Sequence, residues 1–448
     1  RVPFKEVKGG GKLEVNPSGP QLEALMSEAL VTGMQAGTGS GKALDIETLI
    51  PGPTGFRRLA ELQPGDYVFD EGGQPVEVVF VTGVMWGHEC YRVEFDDGAE
   101  LVADGDHQWE TRTHRQRANQ ARRAARPPPL YPNKGPRSQP DRGIVTTRQI
   151  MENVKEYGHT IHAIDLAEPV QYAKRDLPVP PYTFGVWLGD GRSIEAAICS
   201  ADPQILDGVA AEGVAVRPTR RQGSRPNKSR IYPIGRPNGR RIGRTMRERR
   251  EYHGNTVLDG LKKLEVLGNK HIPEIYLTAS VEQRLALLQG LMDTDGYCNK
   301  NGTAEFSNNV LQIGEGVREI LASLGVKSSL HSKRATLNGR YIGINYRVLF
   351  TTRLPVFKLW RKAWNQVGGY RPTQKMRYIK RVIKVPSRPV KCIQVNSPRG
   401  LYLAGRNYIP THNTSVLALW LKMEMEKRGS GDYMMVAPTY PLMEPRVL

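Results

Sequence analysis

Apolar and polar positions change period several times along the chain, and the changes divide it into segments. After Pro20, Leu22, Leu25, Met26, Ala29 and Leu30 recur at helical spacing. From Ala43 the period shortens. Residues 44–50 alternate as a strand does, Pro51-Gly52 predicts a turn, and further strands are expected over 75–84 and 90–95, with Asp96-Asp97-Gly98 as a hairpin turn. A third pattern occupies residues 178–372. Two apolar helices are expected there, 182–191 and 285–296, each closing on Asp-Gly, followed by strands near 305–307 and 341–350. Short strands return at 390–395 and 401–405. Beyond them Val416, Leu417, Leu419, Trp420 and Leu421 mark a helix ending near Arg428-Gly429, then a short strand at 433–436. These changes predict a multidomain chain cut at 1–42, 43–177, 178–372, 373–413 and 414–448, and 448 residues are enough for about three cores.

Charge narrows the class of partner. The net charge is +19 and the pI about 9.7, which points to a polyanion and first of all to nucleic acid. The cations are clustered: Arg112, Arg115, Arg117, Arg122, Arg123 and Arg126 form one run, and a second extends from Arg217 to Arg250. Both are flanked or interrupted by Pro and Gly, so loops or extended arms are expected rather than helices. Cys90, Cys199, Cys298 and Cys392 show no CxxC pair and no metal-ligand spacing, which suits a reducing cytoplasm. No apolar run is long enough to span a bilayer, and no membrane partner is expected.

Gly37, Gly39, Gly41 and Lys42 in A-G-T-G-S-G-K read as a phosphate-binding loop, yet Ala43 stands where such loops place a hydroxyl for Mg²⁺. The hydroxyl reappears as Thr414, after His412-Asn413. Joining Lys42 to Thr414 restores A-G-T-G-S-G-K-T-S ahead of an apolar helix, so residues 43–413 read as an insertion. The flanks resemble the start of a phage terminase large subunit, an α/β P-loop ATPase. That resemblance implies ATP and Mg²⁺ as cofactors of the joined host, a capsid portal as its partner, and the cytoplasm of an infected bacterium as its location.

The inserted β-rich segments resemble the splicing domain of inteins, an all-β horseshoe (Hint) fold that brings both junctions together. The resemblance is carried by L-x-x-G-D-x-V at 62–68, by Ala103-Asp104-Gly105-Asp106-His107 in place of a T-x-x-H block, by Val390-Lys391-Cys392-Ile393-Gln394-Val395, and by Ile409-Pro410-Thr411-His412-Asn413. Asp104 departs from the usual Thr. Ala43 also departs from the usual Cys or Ser, and its methyl group cannot attack a carbonyl. A minority class of inteins lacks that nucleophile and shows Trp, Cys and Thr instead, positions held here by Trp109, Cys392 and Thr414. The resemblance implies that Cys392 attacks the Lys42 carbonyl and that Thr414 accepts the acyl group while Asn413 cyclises with help from His412. His107, titrating near neutrality, would protonate the departing amine, and Trp109 would pack the cysteine against the junction. Two alternatives stand beside this: an ordinary intein whose first Cys has been replaced by Ala43, and a P-loop ATPase or DNA-binding protein with a structural insert.

The helices of the 178–372 segment resemble the paired motifs of LAGLIDADG homing endonucleases, an α+β fold. The resemblance implies Mg²⁺ held by Asp190 and Asp295, Lys333 as a charge near the phosphate, and double-stranded DNA as partner, the target being the host gene without its insert. A monomer is expected.

Overall fold

The computed structural model describes residues 42–124, 142–156, 158–217, 229–235, 256–337, 340–368 and 372–412. The chain divides into two compact units, Gly41–Asn413 and the pair of flanks Arg1–Ser40 with Thr414–Leu448. The loop glycines Gly37, Gly39 and Gly41, both flanking helices, Asn413, Thr414 and most of the second arginine run lie outside the described residues.

Within the larger unit the strands that carry the site are β1 (Leu44–Asp45), β2 (Cys90–Phe95), β3 (Glu100–Asp104), β4 (Gln108–Thr111) and β5 (Ala163–Asp165). The α-rich segment then supplies β6 (Gly296–Cys298), β7 (Ala304–Asn308), β8 (Ser328–Leu337) and β9 (Arg340–Phe350). After it come β10 (Met376–Val385), β11 (Val390–Lys391), β12 (Leu401–Ala404) and β13 (Ile409–His412). One six-stranded sheet runs β5-β10-β2-β3-β1-β11. Leu44 is its pivot, paired with Ala103 on one side and Lys391 on the other. The expected strand at 390–395 is interrupted at Cys392. Val390–Lys391 pairs with β1, whereas Ile393–Val395 pairs with Pro75–Val81 in a second sheet. Cys392 is thus the residue at which the chain changes sheets.

Three local expectations need correction. The strand expected over 44–50 stops at Asp45, because Asp45 Oδ1 accepts the Glu47 N–H at 3.0 Å and its carbonyl accepts the Thr48 N–H at 2.9 Å, which closes a turn. Pro51-Gly52 continues a strand, Leu49–Gly52, that pairs with Gly55–Arg58, so the turn falls at 53–54; Gly55, at φ +124°, takes the conformation that only glycine adopts without strain. The first arginine run is helical over His114–Ala124, here α1: that stretch contains neither Pro nor Gly, and the breakers begin only at Pro127.

Helix α2 (Pro181–Asp190) and helix α3 (Val281–Asp295) form the centre of the second core. The α3 start lies four residues before the expected 285, where Ser280 and Gln283 make a reciprocal capping box. The two helices touch backbone to backbone: a Cβ on Gly185 would lie 2.3 Å from the Leu287 carbonyl, and one on Gly290 would lie 2.3 Å from the Tyr182 carbonyl. Helix α4 (Leu311–Ser323) packs beside them, and the four-stranded sheet β6-β7-β9-β8 completes the layer. This segment has its own buried cluster, including Phe184, Trp187, Leu291 and Phe306, while Leu44, Val93, Trp109 and Tyr402 belong to another. Buried Arg284 ties the α-rich segment to the chain ahead of it, donating to Ala279 O at 2.8 Å and Ser323 O at 2.9 Å and reaching Val170 O, while Arg377 meets Asp97 at 2.7 Å within the β-rich part. Among the described residues no helix is long and apolar enough to cross a membrane.

Candidate functional site

Lys42 and Ala43, just ahead of β1 where it pairs between β3 and the edge strand β11, are buried. The Asp104 N–H donates to the Ala43 carbonyl at 2.9 Å. On the other side, Cys392 follows β11 and its Sγ lies 3.2 Å from the Lys42 carbonyl oxygen, donating to it. Thr82, to which no sequence motif points, holds the cysteine backbone: its Oγ1 accepts the Cys392 N–H at 3.0 Å and its own N–H donates to the Cys392 carbonyl at 2.9 Å. Cys392 is buried, outside any disulfide, and clustered with Ala43, Cys90 and Val390. A thiol therefore sits against the carbonyl of the one bond that Ala43 cannot open.

His107 lies at the start of β4 and is wholly buried. Burial, with His412 and Lys42 adding positive charge nearby, pushes its pKa down to about 3, against a raising contribution from the Lys42 backbone. The expectation of a histidine titrating near neutrality is thereby corrected: His107 is a neutral imidazole with one N–H and one lone pair. Its Nε2 contacts Thr411 Oγ1, while Nδ1 has no hydrogen-bond partner among the described residues. Trp109 packs edge-on to His107 with ring centroids 4.8 Å apart, and its Nε1 donates to Thr147 Oγ1 at 2.9 Å. Thr147 in turn donates from Oγ1 (3.2 Å) and N (2.9 Å) to the His107 carbonyl. Trp109 thus braces the histidine, whereas the sequence had it packing the cysteine.

Asp104 uses its side chain away from the junction. One carboxylate oxygen meets His88 Nδ1 and the other accepts the Asp106 N–H at 2.8 Å, while burial holds its pKa above the usual carboxylate value. His412, at the end of β13, is buried, and its charge is felt at His107. The upstream junction thus gathers Lys42, Ala43, Asp104, His107, Cys392 and His412. Asn413 and Thr414 lie outside the described residues.

A second site lies at the C-terminal ends of α2 and α3. Burial and the charge of Asp295 raise the Asp190 pKa to about 6, and burial also raises that of Asp295, which accepts from Asn308 Nδ2 at 2.8 Å. Two lysines cap these helix ends in parallel fashion. Lys270 Nζ donates to the carbonyls of Trp187, Leu188 and Gly191 at 2.7–3.0 Å, and Lys362 Nζ to those of Met292, Asp293, Thr294 and Gly296 at 2.7–3.2 Å. Burial lowers both lysine pKa values, that of Lys270 to about 8. Lys333 is exposed on β8, opposite Asn345, and the cations whose charge is felt at the carboxylates are Lys270 and Lys362. Lys270 comes from an irregular stretch and Lys362 from the short helix Trp360–Ala363, and neither lies in a motif. Two facing carboxylates suit a divalent cation, whose charge would relieve the repulsion that raises Asp190. Among the described residues no three His, Cys, Asp or Glu side chains converge, so the protein would supply two ligands and leave the rest of the sphere to water and phosphate.

Residues 282–354 match the family model of the LAGLIDADG-like domain. The chain is 33% identical over 386 residues to the replicative DNA helicase DnaB of Mycobacterium intracellulare; the alignment covers 84% of this chain and 59% of that protein, so the chain spans about three fifths of its length. It is 27% identical over 176 residues to the homothallic switching endonuclease of Saccharomyces cerevisiae, covering 34% of this chain and 28% of that one. A solved structure of the MchDnaB-1 intein aligns over 83% of this chain and 100% of its own, at 14% identity and a TM-score of 0.26.

Proposed function

We propose that the chain is a self-splicing precursor interrupted by a site-specific DNA endonuclease. The observation that carries this reading is the Cys392 Sγ placed 3.2 Å from the Lys42 carbonyl oxygen, beside a residue 43 that has no nucleophile. Cys392 sulfur attacks the Lys42 carbonyl carbon. The C–N bond to Ala43 breaks, its nitrogen gains a proton, and Lys42 is left as a thioester on Cys392. The Thr414 hydroxyl then takes the acyl group as an ester and frees the thiol. The Asn413 carboxamide nitrogen attacks its own carbonyl, with His412 adjacent, and releases the insert as a cyclic imide. The freed Thr414 amine takes the acyl group from its own oxygen, and the amide of Lys42–Thr414 completes A-G-T-G-S-G-K-T-S. The engineered-alanine alternative is disfavoured by the same contact, because a class that starts from residue 43 has no need of a second sulfur on that carbonyl.

For the α-rich segment, the function is hydrolysis of both strands of a DNA site in the host gene that lacks the insert. Asp190 and Asp295 would hold Mg²⁺, which would supply Lewis-acid stabilisation of phosphate charge; Lys270 and Lys362 keep their helix ends in place. Exposed cations on the β8–β9 strands, such as Lys333 and Arg334, give the phosphate contacts. For the host, the flanks read as a terminase large subunit, with ATP and Mg²⁺ bound at the joined loop and a capsid portal as partner. The alignment to helicases is far longer than the two flanks together, so the inserted interval carries it and it does not assign the host.

The test is Cys392→Ala in the full chain. The expected result is loss of both spliced product and the N-terminal fragment released by an added thiol. Release at the parental rate would sink the internal-cysteine route.

A further inference from the structure

We propose that Thr411 fixes which nitrogen of His107 carries the proton, and so makes that histidine a proton donor toward the upstream junction. The inference rests on the splicing chemistry above. Thr411 lies on β13, where its pairing with Tyr402 of β12 sets its backbone position, and it is fully buried. Its Oγ1 meets His107 Nε2, equally buried. The remaining ring nitrogen, Nδ1, has no hydrogen-bond partner among the described residues, although a buried unpaired N–H or lone pair costs roughly 1–3 kcal/mol. The Lys42 backbone lies near enough to favour a proton on the ring.

A neutral imidazole holds one proton. When the Thr411 hydroxyl donates to Nε2, the proton is at Nδ1, the ring nitrogen left for the Lys42 backbone that acts on this ring. In the opposite sense, with Nε2–H donating to Thr411, Nδ1 would carry a lone pair and have nothing to give the leaving amine. The step then balances as follows. The S–H bond of Cys392 and the Lys42–Ala43 C–N bond break, and an S–C bond and an amine N–H bond form. His107 passes its Nδ1 proton to the Ala43 nitrogen and is restored by the proton that Cys392 releases. Thr411 touches His107 and not the reacting atoms, so it is a positioning residue. It also ties the upstream histidine to β13, the strand that ends at His412.

The test compares Thr411→Val, which removes the hydroxyl and keeps the shape, with Thr411→Ser, which restores the hydroxyl. In a Cys392→Ala background, which holds the precursor, ¹⁵N chemical shifts of the His107 ring should report a proton on Nδ1, and Thr411→Val should lose that single tautomer. With Cys392 intact, release of the N-terminal fragment by dithiothreitol should fall at least ~10-fold in Thr411→Val, proton transfer being worth about 10²–10⁴-fold, and return close to parental in Thr411→Ser. A proton on Nε2 in the parent, or parental release from Thr411→Val, overturns the assignment. A parent that releases no fragment at all would instead refute the thioester reading, and the ring tautomer would still decide for or against Thr411.

Discussion

Replacing Trp109 with Phe should damage the junction through His107 while leaving the second core untouched. The indole is fully buried, edge-on to His107 at 4.8 Å and to Phe95 at 6.2 Å, and its N–H ends on Thr147, which holds the His107 carbonyl. Phenylalanine keeps an aromatic face but loses that N–H, a net loss of about 1 kcal/mol for a buried bond. The smaller ring also leaves a void on the order of 40 Å³, which at roughly 24 cal/mol per Å³ adds about 1 kcal/mol. The expected loss of stability is therefore ~2 kcal/mol, read as a shift in the urea midpoint of a Cys392→Ala precursor at constant slope. If all of it were expressed as misalignment of His107 in the transition state, thioester formation would slow by roughly thirtyfold, since each 1.4 kcal/mol is tenfold. Thiol-dependent release of the N-terminal fragment gives the rate. A variant destabilised by the expected amount but cleaving at the parental rate would refute the bracing role and leave Trp109 as core only.

Asp190→Asn and Asp295→Asn should each abolish Mg²⁺-dependent cleavage of a DNA carrying the uninterrupted host sequence and leave excision of 43–413 unchanged; metal-dependent nicking by the double variant would refute the assignment. Stability should fall as pH drops below the ordinary histidine value of 6.5, because His107 and His162 have folded pKa values depressed by burial to about 3 and about 4 and are held neutral. Their contribution is fully present above pH 6.5 and is lost on acidification toward those values. Urea midpoints from pH 7 to pH 4 check this, and a midpoint that does not move over that range would contradict it.

Much of the candidate junction is legible in the sequence, because its residues lie next to the junctions or in short motifs: Ala43, His107, Cys392, His412. Their roles were less so. The sequence places Trp109 two residues from His107 but cannot show that the ring faces the histidine and not the sulfur, since that depends on how β4 packs. His107 looked like a group that titrates near neutrality because type and motif carry no burial, and burial alone removes that property. Thr82, Lys270 and Lys362 were invisible for a common reason. Each acts on backbone groups brought close only by tertiary structure, and none lies in a segment long enough to show a period. Lys333 is implied by the family resemblance alone, whereas the lysines that cap the carboxylate-bearing helices have no motif around them. The helix in the arginine run is hidden by the prolines that follow it at 127–129, although the eleven residues His114–Ala124 contain neither Pro nor Gly.

The sheet order explains how a large α-rich segment can interrupt the β-rich core without unmaking it. β5 is the last sheet strand before the interruption and β10 the first after it, and they are antiparallel neighbours, with Ala163 opposite Tyr378 and Asp165 opposite Met376. The segment therefore leaves and re-enters the sheet at adjacent points, like an overgrown hairpin loop. Loop closure costs only about (3/2)RT ln n, so each doubling of length adds roughly 0.6 kcal/mol, provided that the insert folds on a core of its own. It has one, in the cluster around Phe184, Trp187 and Phe306. β10 also pairs with β2 from Ile379 opposite Phe95 to Val385 opposite Cys90, and β11 follows directly, so the strand that closes the interruption is the one that delivers Cys392 to the Lys42 carbonyl. A segment that failed to return its ends to neighbouring positions would misplace the nucleophile. Assembly of the junction thus depends on the geometry of the insert's two ends, and not on the chemistry at the helix ends inside it.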